Sequence, residues 1–323
     1  MKLILLLKKI YSIISKKHIW YDESNVQFFN QEANDYVFKT IEEAFKYNKG
    51  LMISKFGTIE LTSVISVLKV RNGIKIGDYI KCIKGEYDIF PSNALRHLCN
   101  NAGFFPNSNS LHEKYVDLVL NDIKEIDVLA SYIDMEKYLD EELKKSVKIN
   151  LEGYYAPFLW KNPWTKVLKN KRVLVIHPFT ESIEKQYQYN REKLFENIDV
   201  LPEFKELLTI KAVQSIAGNG ANLEFKDWFE ALQYMETQID KLDFDIALIG
   251  CGAYGMNLAA YIKRKGKIAV HLAGWTQMLF GIYGNRWIED QPEYIKYINE
   301  YWVRPLENEK PQGLNKVENG CYW

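Results

Sequence analysis

The run Gly250-Cys251-Gly252-Ala253-Tyr254-Gly255 constrains this chain more than any other stretch. Ahead of it lie four consecutive apolar residues, Ile246-Ala247-Leu248-Ile249, the pattern of a strand buried on both faces. Behind it, Met256-Asn257-Leu258-Ala259-Ala260-Tyr261-Ile262-Lys263 predicts a helix. Strand, glycine-rich turn and helix together aim backbone N–H groups at one point, where a phosphate fits. The spacing is G-x-G-x-x-G. In dinucleotide enzymes an Asp or Glu about 20 residues on, at the end of the next strand, holds the ribose. Here that strand, Ile268-Ala269-Val270-His271-Leu272, ends in His271, Ala273 and Gly274, with no acid. The turn therefore points to a phosphate-bearing ligand other than NAD.

Composition narrows the class. A chain of 323 residues can bury a full core, in one large domain or two smaller ones. Its 42 basic and 42 acidic side chains cancel, which gives no basis for nucleic acid as a partner. Cys82, Cys99, Cys251 and Cys321 form no C-x-x-C pair, so a zinc site or redox dithiol is not indicated, and the usage suits a reducing cytoplasm. The apolar runs Leu3–Leu7 and Ile10–Ile14 are stopped by Lys8-Lys9 and Lys16-Lys17, well short of a membrane span. Residues 1–18 have two readings: peripheral association with the inner face of an anionic membrane, or a helix docked on the domain.

The pattern divides the chain into an N-terminal amphipathic segment (1–30), one α/β domain (31–290) and a peripheral tail (291–323). Strands are expected at 51–54, 172–177, 210–214, 246–249 and 268–272, and helices near 32–47, 59–70, 111–124, 134–146, 183–195, 225–242 and 256–263. Residues 71–110 read as irregular. Strands alternating with helices imply a doubly wound, mostly parallel, Rossmann-like sheet, whose ligands bind beyond the carboxyl ends of the strands.

That rule selects the candidate site. The first strand delivers Ser54, Lys55, Phe56, Gly57, Thr58 and Glu60; the second delivers His177; the third Gln214 and Ser215. The Gly250 turn adds Gly250, Gly252, Ala253, Tyr254 and Gly255, and the last strand adds His271, Gly274 and Gln277. Asp243 and Asp245 resemble a metal-binding D-x-D but precede a strand, which puts them on the opposite edge. Each choice has a plainer alternative. Glu60 in a first helical turn stabilises a helix dipole. A His that ends an apolar strand is by default a satisfied buried His. Cys251 needs only its small size to explain it.

Taken together, Ile53-Ser54-Lys55-Phe56-Gly57-Thr58-Ile59-Glu60-Leu61 resembles the S-[RK]-[FY]-G-D-G-E segment of GT-D-fold glycosyltransferases. The stretch from Asp245 through Lys265-Gly266-Lys267 to Gly274 is similar to that group's second landmark, and Asn162-Pro163-Trp164, Val173–Phe179 and Gly281–Trp287 are similar to a polysaccharide-locus branch. The resemblance implies transfer of a sugar from a nucleotide-sugar donor to a glycan or lipid-linked acceptor of a surface polysaccharide. It implies that the turns at 54–58 and 250–255, with His271 and Gly274, hold the donor, and that Glu60 carries over from the D-x-E motif as a catalytic candidate; His177 is the candidate base from its place at a strand's carboxyl end. The group's D-x-E motif is associated with a metal ion, Mn or Mg. Thr58 stands where the motif has Asp, leaving Glu60 alone to bind metal and putting metal dependence in doubt. A dinucleotide-dependent oxidoreductase or epimerase and a non-catalytic nucleotide-sugar-binding protein stay open as alternatives.

Overall fold

A computed structural model describes residues 2–15, 23–317 and 320–323. Seven parallel strands form one sheet: β1 (Leu51–Ser54), β2 (Val128–Ser131), β3 (Val147–Asn150), β4 (Arg172–His177), β5 (Glu206–Lys211), β6 (Ile246–Ile249) and β7 (Ile268–His271), in the order β3-β2-β1-β7-β6-β4-β5. The α-helices are α1 (Lys2–Ser15), α2 (Asn30–Tyr47), α3 (Thr58–Arg71), α4 (Ile76–Ile83), α5 (Pro91–His97), α6 (Asn109–Asp122), α7 (Asp140–Leu143), α8 (Glu152–Tyr155), α9 (Thr180–Asn190), α10 (Trp228–Ile239), α11 (Gly255–Arg264) and α12 (Trp275–Leu279). The class is that expected: a doubly wound parallel α/β sheet.

Alternate residues of each inner strand serve opposite faces. Met52, Leu129, Leu174 and Ala247 join one apolar cluster with α3, α6, α10 and α11. Ile53, Val128, Val175 and Leu248 join the other, with α2, α9 and α12. Burial on both faces explains why these strands read as continuous apolar runs rather than as alternation.

Strand order decides which face each connection takes. Right-handed crossovers running one way along a sheet share a face. The steps β1→β2, β2→β3, β5→β6 and β6→β7 run one way, and their helices pack on the first face. The steps β3→β4 and β4→β5 run the other way, and Trp164, Leu168 and Ile183 pack on the second. The chain therefore leaves β4 and β6, which are neighbours, toward opposite faces. It does the same at β1 and β7. Divergent loops open a crevice at the carboxyl edge.

Three expectations need correction. Strands β2 and β3 stand where only helices were expected nearby, and β5 spans 206–211 rather than 210–214. Residues 71–110, read as irregular, contain α4, α5 and a wide turn at Leu98–Ala102. The tail is not peripheral. Trp302, Glu309 and Trp323 are buried, and the buried Glu309 carboxylate accepts the backbone N–H groups of Glu181 (2.8 Å) and Ser182 (3.3 Å) and the Ser182 hydroxyl. That places a negative charge on the first turn of α9, where the helix dipole favours it. Asp243 and Asp245 lie at the amino edge, as expected, where Arg172 bridges both.

The Glu309 contacts predict that Glu309→Ala lowers unfolding free energy by about 2–3 kcal/mol, since hydrogen bonds to a buried charge are lost at both partners. Urea denaturation checks this. A loss below about 0.5 kcal/mol, the range of an ordinary surface substitution, would mean that the tail is not anchored there.

Candidate functional site

A cavity of about 210 Å³ lies at the carboxyl edge, over β1, β7, β6 and β4. Of the residues selected from sequence, Lys55, Gly57, Thr58, Glu60, His177, Gln214, Ser215, Gly250, Gly252, Tyr254, His271, Gly274 and Gln277 line it. Ser54, Phe56, Ala253 and Gly255 do not; Phe56 and Ala253 are buried in the apolar core.

The first wall is the β1–α3 corner. Gly57 caps α3 in an extended conformation, Thr58 is its first residue, and Glu60 lies in its first turn. The Glu60 carboxylate folds back over Gly57 so closely that a methyl group there would sit 2.0 Å from Oε2. Tyr132, at the end of β2, fixes the loop by donating to the Phe56 carbonyl (2.8 Å). Its ring lies 5.1 Å from the Lys55 ammonium, and its hydroxyl accepts from that ammonium at 3.4 Å. The backbone at Tyr132 is in turn held by the buried Glu136 carboxylate, which accepts the N–H groups of Tyr132 and Ile133, each at 3.1 Å.

The second wall is the β7 end and the Gly250 turn. His271 is buried, with Nδ1 3.0 Å from the Ser54 hydroxyl, so Ser54 orients the ring from the neighbouring strand. Its Nε2 is buried without a hydrogen-bond partner and faces the start of α11, where a methyl group at Gly255 would sit 2.3 Å away. The Thr276 hydroxyl is likewise buried and unpartnered, beside Gly250. A buried polar atom left without a partner, as at His271 Nε2 by the start of α11, is costly unless a ligand or water completes it. The turn itself is tightly built. Gly252 has a φ of +58°, and a side chain there would meet the Ala102 carbonyl at 2.7 Å, so this glycine serves the turn and its packing. A bulky residue at 252 would thus disturb the fold before it blocked a phosphate. The Tyr254 ring stacks on Trp228 at 5.0 Å, and its hydroxyl lies 3.0 Å from that of Ser215. Burial raises the Cys251 thiol, away from the thiolate form that a nucleophile needs.

His177, expected as a site base, lines the cavity as a buried ring. Its Nδ1 accepts the Phe179 N–H at 3.0 Å, so the proton of the neutral ring resides on Nε2, and burial lowers its pKa to about 3. In that tautomer the ring offers its Nε2–H as a hydrogen-bond donor.

The third wall was not foreseen. Arg286, Tyr322 and Trp323 line the cavity, with the Arg286 guanidinium 4.4 Å from the Tyr322 ring centroid and donating to its hydroxyl at 2.9 Å. Gly274 accommodates that ring: a methyl group on Gly274 would sit 2.4 Å from Cε1 of Tyr322. Sequence offered one usable signal, a basic residue in the turn Gly284-Asn285-Arg286; nothing marked Tyr322 or Trp323. Among the described lining residues, Lys55 and Arg286 carry the cationic side chains and Glu60 the one carboxylate side chain. No cluster of three or more His, Cys, Asp or Glu side chains suited to a metal ion occurs among the described residues. One carboxylate beside a neutral Thr58 does not fit a resident divalent ion, which needs several oxygen ligands.

No family model and no curated protein matches the chain. A solved structure described as a selenomethionine-substituted domain of unknown function 1792 aligns over 95% of this chain and 96% of its own, at 11% identity and a TM-score of 0.35. At that score the likeness carries no argument about the site.

The buried histidines make a prediction. His112 is lowered to about 4, and His177 and His271 to about 3, chiefly by burial. Between about pH 6.5 and these values the unfolded chain binds protons that the folded chain does not. Stability is therefore full above about pH 6.5 and falls as pH drops through that window. In NMR titrations the three rings should stay neutral above about pH 5. A His177 ring titrating near its ordinary value would restore it as a base.

Proposed function

We propose that the protein is a glycosyltransferase of GT-D type that moves a sugar from a nucleoside-diphosphate donor to a glycan or lipid-linked acceptor of a surface polysaccharide. The observation that carries this reading is the content of the cavity: two cations and one carboxylate at a parallel-sheet edge, beside two strand-to-helix turns. Lys55 and Arg286 offset the charge of the diphosphate, and the N-terminus of α11 adds backbone donors. His271, which lines the cavity, supplies a polar atom that a bound donor would complete.

In the transfer, an acceptor hydroxyl attacks the anomeric carbon. The new C–O bond forms as the bond to the diphosphate oxygen breaks, and the diphosphate leaves with its electron pair. Its developing charge falls between Lys55 and Arg286. The hydroxyl proton passes to Glu60, the carboxylate of the cavity. Neutral His177 orients a donor oxygen through its N–H. The missing ribose acid after β7 argues against an NAD-dependent reaction, because that strand ends in His271.

Two cations in place of an acidic pair predict binding without metal. Titration calorimetry with uridine diphosphate, or another nucleoside diphosphate, should show affinity that survives chelator. Lys55→Ala and Arg286→Ala should each weaken it by about tenfold or more, as expected for a charge-assisted hydrogen bond. Glu60→Gln should keep binding and lose turnover. Thr58→Asp should make binding depend on Mn²⁺ or Mg²⁺, because a second carboxylate repels the phosphates until an ion bridges them. Chelator-abolished binding in the unaltered protein would overturn the two-cation assignment; binding with no sugar transfer to any acceptor would favour a nucleotide-sugar-binding protein instead.

A further inference from the structure

Helix α4 presents its apolar stripe outward. Ile76, Tyr79 and Ile80 recur at helical spacing on one face, at 82%, 39% and 50% exposure, while the one fully buried residue of the helix is Cys82. Such a stripe normally faces a core. Helix α1 packs against α4 and has two stripes of its own. Ile4, Lys8 and Tyr11 are half-buried, with Ile4 touching the apolar cluster. Leu3, Leu6, Leu7 and Ile10 are exposed. The two adjacent helices thus expose large apolar side chains that no part of the described fold covers. Contiguous surface of this kind marks an interaction site.

The charge around these side chains selects the partner. The first acid in the chain is Asp22, whereas Lys2, Lys8, Lys9, Lys16 and Lys17 precede it. Lys9 on α1 is exposed, as are Lys75, Lys81 and Lys84 on and beside α4. The one acid of α4, Asp78, is engaged by the Lys75 N–H, the Tyr87 hydroxyl and Lys69. An apolar stripe flanked by lysines matches an anionic lipid surface, with the rings and branched chains in the acyl boundary and the ammonium groups at the phosphates. A second copy of this face would bring lysines against lysines. No helix among the described residues is long and apolar enough to cross a membrane.

We propose that α1 and α4 together dock the protein on an anionic membrane. The consequence for the site lies in a groove of about 330 Å³ lined by Lys8 of α1 together with Glu86, Tyr132, Asp134, Met135 and Thr58. Thr58 and Tyr132 also line the main cavity. Docking through α1 and α4 brings this groove to the lipid surface, and a sugar carried on a lipid can reach Thr58 and Glu60 along it. The acceptor route rests on the glycosyltransferase reading; the docking does not.

Vesicle flotation of the full chain, without donor, tests the docking. Vesicles of phosphatidylglycerol and phosphatidylcholine should carry the protein, and pure phosphatidylcholine should carry at least about tenfold less, with high salt reducing the difference. Ile76→Ser combined with Ile80→Ser should lower flotation by about tenfold although α1 is intact, at an unchanged melting temperature. Leu6→Ser combined with Ile10→Ser should act similarly. Flotation unaffected by the α4 changes would overturn the joint face and leave α1 as a lone anchor. No flotation, with a dimer in light scattering that the same changes dissolve, would assign the face to a second copy. Because donor affinity is measured in solution without vesicles, failure of the donor reading and failure of docking give separate results.

Discussion

Everything at the site depends on the pairing of β1 with β7. Leu51 sits opposite Ile268, Met52 opposite Ala269 and Ile53 opposite Val270, in the centre of the sheet. This parallel ladder joins segments more than 200 residues apart, and at its carboxyl end the Ser54 hydroxyl meets Nδ1 of His271. In a sheet whose side-chain period is two, a slip of one residue would turn Ile53 and Val270 to the wrong face and part this contact. The correct register sets the Lys55–Glu60 corner next to the turn that opens α11. A further buried bond closes the arrangement from the second face: the Tyr154 hydroxyl donates to the His271 carbonyl.

The electrostatics follow from burial. Inside the crevice a charge interacts more strongly than in water, and water no longer competes for its partners. The two histidines are neutral there, so the fixed positive charge comes from Lys55 and Arg286, and the negative charge from Glu60. Each cation is positioned by an aromatic ring, Lys55 by Tyr132 and Arg286 by Tyr322. Ring and cation together restrict the side chain before any ligand arrives, which lowers the ordering cost of binding. The tail earns its place in this scheme through Tyr322, and Glu309 ties that tail to α9.

Much of this was legible in the sequence, for physical reasons that can be traced. Strands β1, β4 and β6 are built on apolar runs bounded by turns, and their limits could be read directly. Strand β2 was missed because Val128-Leu129-Ala130-Ser131 is short and directly follows a helix, and β3 because Val147-Lys148-Ile149-Asn150 alternates without a turn signal. At the site, the strand-end rule found Lys55, Glu60, His177 and His271, since a parallel sheet fixes where its carboxyl ends lie. The rule could not say which way a side chain turns. Phe56 and Ala253 belong to the core, and Gly252 and Gly274 are small because Ala102 and Tyr322 crowd them. Arg286 and Tyr322 come from loops folded back over the edge, and long-range packing of that sort leaves no periodicity to read. The His177 tautomer rests on one backbone hydrogen bond, from Phe179, that no residue pattern announces.

The central claim is that one diphosphate lies between Lys55 and Arg286 at the start of α11. A crystal structure of the protein with a nucleoside diphosphate tests it most directly. The account predicts phosphate oxygens within hydrogen-bond distance of the Lys55 ammonium and the Arg286 guanidinium, with the Glu60 carboxylate facing the space beyond the terminal phosphate. A diphosphate bound elsewhere on the sheet edge, or held by a metal ion with neither cation in contact, would contradict it.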